Sequence, residues 1–206
     1  KYVKKDITKA IHYFTLAANQ HDSDAQFNLG LIYSEGKYVK KDITKGIHYY
    51  TLSANQHNSY ALFNLGFIYS KGEYIKRDMN KVIHYNTLAA NQNHPYAQFI
   101  LGIIYFNGIG ISVNIKKGIY LITLSAKNGN IPANFYVGYL YHRGMYMKRD
   151  INKAIHYYKE ASSFNNQYAK NNLGILFKNG YKDEVVKNLG LSIEYFKEAI
   201  CQKDDK

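Results

Sequence analysis

The sequence contains one cysteine, two prolines and no tryptophan. The single cysteine, Cys201, excludes a disulfide framework and any zinc or iron–sulfur site that needs several cysteines. Because prolines occur only at Pro95 and Pro132, long helices can continue without interruption. The most apolar stretch, 99–111, is too short for a membrane-spanning helix, which needs about 20 residues. No basic segment leads into an apolar one near the start, so no signal peptide is visible.

Acidic residues are also scarce, with 15 Asp and Glu against 27 Lys and Arg, and the formal net charge is +12. The apolar fraction of 46% is that of a folding chain and not of a disordered tail. The sequence has no Ser/His/Asp signature, no paired-carboxylate motif and no phosphate-binding glycine loop. We therefore predict a protein that is not an enzyme and that uses no cofactor and no metal.

Several residue types recur at intervals of 36 residues, which indicates internal repeats. Two glycine series, an alanine series and an aspartate series hold this register, and Asn114 replaces one aspartate. The series are Gly30, Gly66, Gly102, Gly138 and Gly174; Gly36, Gly72, Gly108, Gly144 and Gly180; Ala25, Ala61, Ala97, Ala133 and Ala169; and Asp6, Asp42, Asp78 and Asp150. Chance does not keep several residue types in one register over five cycles, so the chain is a repeat array.

Each repeat has the pattern of two helices. In the first full repeat, apolar residues recur at helical spacing and predict a helix A over 24–35. Gly36 follows, at the position where a left-handed C-terminal turn favours glycine. Asp42 then stands where an N-cap is needed, and a helix B is predicted over 43–55. Asn114 is an equally good cap, so the departure from aspartate preserves the same role.

The glycine series that begins at Gly30 lies inside helix A, where each glycine costs about 1 kcal/mol relative to alanine. We expect close approach of a neighbouring helix to offset this cost, with small pairs such as Ser53-Ala54 on helix B as the opposing flat surface. One helix pair cannot bury both of its apolar faces, whereas stacked pairs can. The predicted fold is therefore all-α, a right-handed α-solenoid of stacked antiparallel helix pairs with a 36-residue repeat.

We predict a single repeat array over 1–206. It consists of a partial repeat with helix B only (1–20), four full repeats (21–56, 57–92, 93–128 and 129–164) and a divergent C-terminal capping repeat (165–206). The chain does not begin with Met, and the helix predicted over 6–19 has an apolar stripe with no helix A to cover it. We expect more repeat sequence upstream, and self-association of the fragment through this uncapped helix.

The repeat unit reads A-x-x-x-L-G-x-x-Y-x-x-G, a loop, and D-x-x-K-A-x-x-Y-Y-x-x-A-A. In the first full repeat it is carried by Ala25, Leu29, Gly30, Tyr33, Gly36, Asp42, Lys45, Tyr49, Tyr50 and Ala54. This pattern resembles the Sel-like repeat (SLR) family, a relative of the tetratricopeptide repeat. The resemblance implies a scaffold or adaptor for protein–protein interaction, in complexes of the signalling, ubiquitin-ligase or ER-quality-control type. It leaves open a regulatory array attached to an upstream catalytic domain such as a kinase.

Helix A carries a second apolar register, on the side opposite the face that contains Ala25 and Leu29. We predict that this register lines the concave surface and binds a protein or peptide segment. Packing against adjacent A helices is the alternative interpretation. The predicted partner-binding residues are Phe27, Leu31, Phe63, Phe67, Phe99, Ile103, Phe135 and Tyr139, with Asn28 and Asn64 beside them. We expect Phe63 and Phe99, with Phe67 and Ile103, to be the main contacts because they are central in the array.

Basic pairs recur in the loop between helix A and helix B. They are Lys40 with Lys41, Lys76 with Arg77, and Lys148 with Arg149. Stacked helices lie about 8–10 Å apart, so the pairs would form a basic ridge along one edge. The ridge supports an alternative function, the binding of an acidic partner, a nucleic acid or an anionic membrane. A solvated edge without function is the other interpretation, and nucleic acid is the less favoured partner because the tyrosines lie mostly at repeat core positions.

Histidine recurs once per repeat on helix B, at His12, His48 and His84 and again at His156. One histidine per helix pair is too widely spaced to share a metal ion, so we interpret these residues as partly exposed helix positions. For the compartment we predict the cytoplasm, because the chain has one cysteine and no N-x-S/T sequon. An ER-lumenal protein is expected instead if a signal peptide lies upstream.

Overall fold

The computed structural model describes residues 2–181 and 185–200, with side chains described from residue 6 onward. These residues form eleven α-helices and no strand. The helices are α1 (Tyr2–Asn19), α2 (Ser23–Glu35), α3 (Ile43–Asn55), α4 (Ser59–Lys71), α5 (Met79–Asn91), α6 (Pro95–Asn107), α7 (Ile115–Lys127), α8 (Ile131–Arg143), α9 (Ile151–Ser163), α10 (Gln167–Asn179) and α11 (Leu189–Ile200). Even-numbered helices are the predicted A helices and odd-numbered ones the B helices, so the all-α prediction is confirmed.

The chain divides into two compact units, 1–101 and 102–206, with the border inside α6. In the first unit α2 packs on α3 and α4 on α5, and successive repeats meet through α1 with α2 and α3 with α4. In the second unit α8 packs on α9 and α10 on α11, with α7 against α8 and α9 against α10. Within each unit, helices therefore contact both their partner and the next repeat, which is the predicted α-solenoid packing of stacked helix pairs.

The predicted caps begin the B helices. Asp42, Asp78, Asn114 and Asp150 each accept a hydrogen bond from the backbone N–H three residues later, at 2.9–3.1 Å. The N–H of Lys153 holds the pKa of the Asp150 carboxyl below its ordinary value. At the other end of the loop, the glycines that follow α2, α4 and α8 adopt φ values of 65–69°, the left-handed conformation that ends a helix.

The A helices have a second series of caps, which we did not predict. Its members are Asp22, Asn58, His94, Asn130 and Asn166, and each accepts a hydrogen bond from the N–H three residues later at 2.6–3.2 Å. The signal was in the sequence, because these positions follow the same 36-residue interval. His94 interrupts a series that otherwise consists of Asp and Asn, and histidine is not among the residues preferred as N-caps. The series is therefore harder to recognise from the sequence.

The two ends depart from the regular repeat. α1 begins at Tyr2 and not at the predicted Asp6, because residues 2–5 contain neither proline nor glycine to stop the helix. After α10, Gly180 has ψ of 173°, and Tyr181 pairs with Val185 in an isolated antiparallel bridge. Cys201 and the rest of the predicted capping repeat beyond 200 lie outside the described residues.

The glycine series inside helix A packs differently from our prediction. A Cβ placed on Gly30 would lie 2.5 Å from Cδ1 of Tyr50, and one on Gly138 would lie 2.8 Å from Cδ1 of Tyr158. The glycines therefore make room for a side chain from helix B of the same repeat, so the predicted close approach of a neighbouring helix is confirmed and the predicted contact with the small pairs is wrong. The reason is that the middle of helix B, and not its end, crosses helix A at the glycine.

The small pairs at the end of helix B lie instead beside the start of an A helix. Ser53 is buried on α3, and its Oγ donates a hydrogen bond to the backbone oxygen of Ser23, 2.8 Å away. Ala54, which follows it, is buried as well. Small side chains suit this position because the two helix ends approach each other closely.

Candidate functional site

The predicted binding residues of helix A form two rows that differ in exposure. The first row consists of Phe27, Phe63, Phe99 and Phe135, all half-buried. The ring centroid of Phe27 lies 5.9 Å from that of Tyr60 on α4, and Phe135 lies 6.0 Å from Tyr168 on α10. Phe27 and Phe135 thus each contact an aromatic ring of the next A helix.

The second row is more open. Leu31 and Ile103 are half-buried, whereas Phe67 is 51% exposed and Tyr139 is 36% exposed. The ammonium of Lys71 lies 5.2 Å from the ring centre of Phe67. Despite this contact, about half of the Phe67 side chain is exposed. The second row therefore presents more apolar surface than the first.

The two predicted asparagines have different surroundings. Asn28 Nδ2 donates to the backbone oxygen of Asp24 on its own helix, at 2.9 Å. Asn64 is hydrogen-bonded to the hydroxyl of Tyr50, which also lies 3.0 Å from Ser34 Oγ. Burial raises the pKa of the Tyr50 hydroxyl, so this hydroxyl stays protonated and can donate. Only Asn64 therefore belongs to a cluster of polar groups in this part of the protein.

That cluster lies in a pocket of about 480 Å³ in the first unit, which we call the α2–α4 pocket. Its apolar wall consists of Leu31, Ile43, Phe67 and Ile68. Ser34, Tyr50 and Asn64 supply the polar groups described above. Known ligand pockets span about 300–1,000 Å³ and combine an apolar lining with a few polar groups, and the α2–α4 pocket has both properties.

Charged side chains of both signs also line the α2–α4 pocket. Glu35 and Glu73 supply two carboxylates, and Lys41 and Lys71 supply two ammonium groups. Lys41 Nζ donates to the hydroxyl of Tyr74 at 2.7 Å and lies 4.5 Å from the centre of that ring. This contact holds a side chain of the basic ridge beside the open ring of Phe67. The pocket thus joins two features that the sequence analysis treated separately.

The corresponding place in the second unit has different side chains. Phe106 takes the place of Ser34, and Tyr136 takes the place of Asn64. The two rings lie 5.9 Å apart edge to face, and Phe106 also lies 5.2 Å from Tyr146. Aromatic rings therefore contact each other where the first unit has polar groups and an open cavity.

One repeat further on, His142 takes the place of Ser34. Its Nδ1 lies 3.3 Å from the hydroxyl of Tyr158, and its ring contacts Tyr181 edge to face. Burial, followed by the charges of Arg149 and Arg143, lowers the pKa of the His142 imidazole. The copies at Ser34, Phe106 and His142 thus carry a hydroxyl, a benzyl ring and an imidazole.

The predicted ridge residues are all exposed. Ion pairs within 4.0 Å among the described residues join Lys153 to Asp150 and Lys170 to Glu198, so none of them neutralises a ridge residue. In the second unit, Arg149 lies over the ring of Tyr181 at 4.3 Å. The ridge charges therefore face solvent or tyrosine rings and have no carboxylate partner in the described part of the chain.

Two shallow pockets of about 590 Å³ in the first unit lie at these basic pairs, and we call them the loop pockets. The first is lined by residues that include Tyr33, Lys40, Lys41, Asp42, Ile43 and Lys45. The second is lined by the equivalents one repeat later, which include Tyr69, Lys76, Arg77, Asp78, Met79 and Lys81. Three cationic side chains thus converge on each loop pocket.

The lysine on helix B is a member of the loop pockets that our sequence analysis missed. Lys81 Nζ donates to the hydroxyl of Tyr69 at 3.0 Å and lies 4.5 Å from the centre of the ring. The other face of that ring stacks on Tyr85, with centroids 5.8 Å apart. Lys45 and its equivalents follow the 36-residue interval, so periodicity alone could have found this series.

The histidines on helix B lie apart from these pockets. Each of His12, His48, His84 and His156 is exposed and contacts the tyrosine that follows it, with ring centroids 5.2–5.5 Å apart. Across the described residues, no group of three or more His, Cys, Asp or Glu side chains is placed to hold a metal ion.

Comparison with known proteins shows where such helix pairs occur. A Sel1 repeat family model matches residues 1–22, 23–58, 59–94, 95–130, 131–163 and 167–204. No curated protein matched the chain. Within the described residues, no helix is both long enough and apolar enough to span a membrane.

Solved structures share this architecture. A Sel1 repeat protein from Oxalobacter formigenes is 27% identical, with a TM-score of 0.84 over 93% of this chain and 78% of its own. A protective antigen of uropathogenic Escherichia coli strains, which displays an SLR fold, is also 27% identical, with a TM-score of 0.81. That match covers 94% of this chain and 41% of the antigen, so this chain spans less than half of the antigen's length.

A more distant structure shares the fold alone. Immunity protein PA5088 from Pseudomonas aeruginosa is 19% identical, with a TM-score of 0.62 over 94% of this chain and 74% of its own.

Sel1 repeat proteins are generally scaffolds for protein–protein interaction. Because family matches cover nearly all of the sequence, this chain belongs to the Sel1 repeat family.

Proposed function

We propose that this chain is a non-catalytic scaffold or adaptor that binds a segment of a protein partner along the A helices of its first unit. The α2–α4 pocket takes one apolar side chain of that segment, against Phe67 and Leu31. Asn64, which is half-buried and lines the pocket, offers hydrogen bonds to the segment's backbone. Assemblies of the signalling, ubiquitin-ligase or ER-quality-control type would use such a scaffold, and we place it in the cytoplasm.

The observation that carries this proposal is the exposed side chain of Phe67, a second-row residue, at the α2–α4 pocket. Phe67 is half exposed although it lies within a helix whose neighbouring positions, Leu65 and Gly66, are buried. A large aromatic side chain left accessible beside a cavity with convergent polar groups is typical of a binding site. The first row supports the same surface by holding successive A helices together, since its rings lie between them.

The test is a selection from a synthetic library in which each bead carries one random twelve-residue peptide. The full chain should enrich peptides with a large apolar residue, and the Ser34→Phe variant should not. This substitution copies Phe106 of the second unit and places a ring in the pocket without changing any charge. The first repeat has Tyr50 where the repeat of Phe106 has Ile122, so the fold of the variant is checked separately. Phe164→Ala, which removes a 63% exposed ring in the second unit, is the control and should leave binding unchanged.

Circular dichroism checks that both variants keep their helical content. The proposal predicts at least a tenfold loss of affinity in the Ser34→Phe variant, because truncating or blocking a central apolar contact costs about 2 kcal/mol. If the filled variant binds the selected peptides as well as the original chain does, the α2–α4 pocket is not the binding site.

A further inference from the structure

We propose that the partner segment is acidic, with its carboxylates in the first loop pocket and its apolar side chain in the adjoining α2–α4 pocket. This inference rests on the proposed function and names the chemistry of the partner. It concerns the first unit, where both pockets are formed by residues 31–74.

The two pockets share a wall. Lys41 and Ile43 line both of them, so an ammonium group and an apolar side chain mark the boundary between the two cavities. A ligand that enters the α2–α4 pocket with an apolar group has its next groups beside Lys41. A polypeptide carries apolar and acidic side chains on neighbouring residues, and it therefore matches this arrangement.

The balance of charge in the loop pocket favours an anion. Even without Lys41, which the carboxylates of the α2–α4 pocket balance, Lys40 and Lys45 face one carboxylate there, that of Asp42. The Asp42 carboxylate accepts from the N–H of Lys45 at 3.0 Å as the cap of α3, so it already has a role in the fold. No Asp or Glu lies within 4.0 Å of the three ammonium groups as an ion-pair partner in the described part of the chain.

The α2–α4 pocket does not itself select a charge, because Glu35 and Glu73 balance Lys41 and Lys71 there. The charge of the adjoining loop pocket therefore decides whether an acidic or a basic segment binds. The second loop pocket repeats the same chemistry, with Lys76, Arg77 and Lys81 around Asp78. Successive stacked helices lie about 8–10 Å apart, which about three extended residues span, so acidic residues three positions apart would reach both loop pockets.

The aromatic side chains near the loop pockets argue against single-stranded nucleic acid. Such ligands stack their bases on open aromatic faces. Here the ring of Tyr33 stacks on Tyr49, with centroids 5.9 Å apart and planes at 9°. Lys45 lies over the ring of Tyr33 at 5.1 Å. The tyrosines of the loop pockets are thus engaged with protein groups, and an acidic polypeptide fits better than stacked bases.

The bead-bound peptide library tests this inference through the composition of the peptides that the full chain retains. We expect Asp or Glu within three or four residues of the apolar residue, more often than in the unselected library. Peptides that are retained through an apolar residue without any acidic enrichment would overturn this inference and leave the proposed function standing. If no peptide is retained, both proposals fail together.

A charge-removing variant locates the acidic contact. The third full repeat naturally carries Ser112 and Val113 where the first carries Lys40 and Lys41, so the double variant Lys40→Ser, Lys41→Val uses residues that the fold already accepts. It should lower the affinity for the best acidic peptide about tenfold in 50 mM NaCl, since two exposed charge contacts are lost. In 500 mM NaCl the original chain and the variant should differ much less.

The matched control removes the same amount of charge elsewhere. Lys127→Gln with Lys159→Gln takes two exposed lysines from the second unit and changes the net charge equally. An equal loss of affinity in this control would overturn the loop-pocket assignment and show that only the overall positive field matters. A single-stranded oligonucleotide and vesicles with phosphatidylserine serve as competitors. Displacement of the peptide by either one at lower concentration than by free acidic peptide would also contradict the inference.

Discussion

The same structural position between successive A helices is open in the first unit and occupied by aromatic rings in the second. At Ser34 and Asn64, the first unit has a pocket of about 480 Å³ with hydrogen-bonding groups. At the equivalent Phe106 and Tyr136, the second unit has two rings in edge-to-face contact. The A helices on both sides, α2 and α4 in one case and α6 and α8 in the other, are all 13 residues long. Positions that recur therefore build the helix pairs, and positions that vary between repeats decide where a ligand can enter.

The largest loss of folding stability is expected where a position that recurs in every repeat is changed. In the second unit, a Cβ on Gly102 would lie 2.7 Å from Cγ1 of Ile122 and 3.1 Å from the backbone oxygen of Gly118. Gly102→Leu should therefore lower the free energy of unfolding by about 3 kcal/mol or more, since the helices cannot separate without losing their contacts. Urea denaturation followed by circular dichroism measures this loss.

Gly66, the equivalent glycine in the first unit, is expected to tolerate a side chain better than Gly102. A Cβ on Gly66 would meet the amide end of Asn86, at 2.6 Å from Nδ2, and that flexible side chain can move aside. Gly66→Ala should thus change stability by less than about 1 kcal/mol, because the steric cost is offset by the better helix propensity of alanine. A loss below about 0.5 kcal/mol for Gly102→Leu would mean that the glycines do not mark close contacts.

Asn86 is itself the subject of the next prediction. It is 2% exposed, its Nδ2 donates to the backbone oxygen of Val82 at 2.8 Å, and its Oδ1 has no partner among the described residues. The other repeats place Tyr50, Ile122, Tyr158 or Phe196 at this position. Asn86→Ile should raise the free energy of unfolding by about 1–2 kcal/mol, because it removes a buried oxygen that makes no hydrogen bond.

The reverse substitution in the second unit sharpens the comparison. Ile122→Asn should lower stability by about 3 kcal/mol, since it removes a fully buried apolar side chain and buries a polar one. Both variants are measured by the same denaturation experiment. If Asn86→Ile destabilises the chain, the Asn86 amide has a role that the side chains around it do not reveal.

The sequence predicted those parts of the protein that depend on periodicity. Helix B was predicted over 43–55 and observed over the same residues, and the Asp42 series caps it as expected. The contact of Gly30 was predicted wrongly because periodicity gives the face of a helix but not the angle at which its partner crosses. Tyr50 was assigned to the repeat pattern without any indication that its ring lies against Gly30.

The candidate site was predicted only in part, for a similar reason. Phe67 and Leu31 were found as a register, and Lys41 as part of a basic pair. Their meeting in one pocket depends on Ser34, which recurs only once, at Ser70, and then gives way to Phe106. A small side chain that is present in some repeats and absent from others carries no periodic signal, so the opening of the pocket could be seen only in three dimensions.

The smallest expected change in folding stability is the one that pH causes through His94, the cap of α6 in the first unit. His94 is 5% exposed, its ring stacks on Phe63 at 4.8 Å, and Tyr60 meets it edge-on at 5.0 Å. Its Nδ1 accepts the N–H of Ala97 at 3.2 Å, which requires the neutral imidazole. Burial lowers the pKa of His94 below its ordinary value near 6.5.

A histidine with a lowered pKa in the folded state stabilises the fold while it is neutral. The contribution is fully present above the ordinary pKa and is lost as the pH falls through the lower, folded value. The free energy of unfolding should therefore decrease between pH 7.5 and pH 5, by up to about 1.4 kcal/mol for each unit by which the two pKa values differ.

His94→Asn tests this assignment, because asparagine caps α4, α8 and α10 at the equivalent positions. The variant should keep the cap and lose part of the pH dependence. The pKa of His142 in the second unit is also lowered by burial, so His142→Phe, which copies Phe106, should remove a further part. The protection factor of the Ala97 amide, which is its exchange rate relative to an unstructured peptide at the same pH, should decrease from pH 7.5 to pH 5, because His94 accepts that N–H only when neutral. An unchanged protection factor in the original chain, together with an unchanged slope in His94→Asn, would show that the cap does not respond to pH.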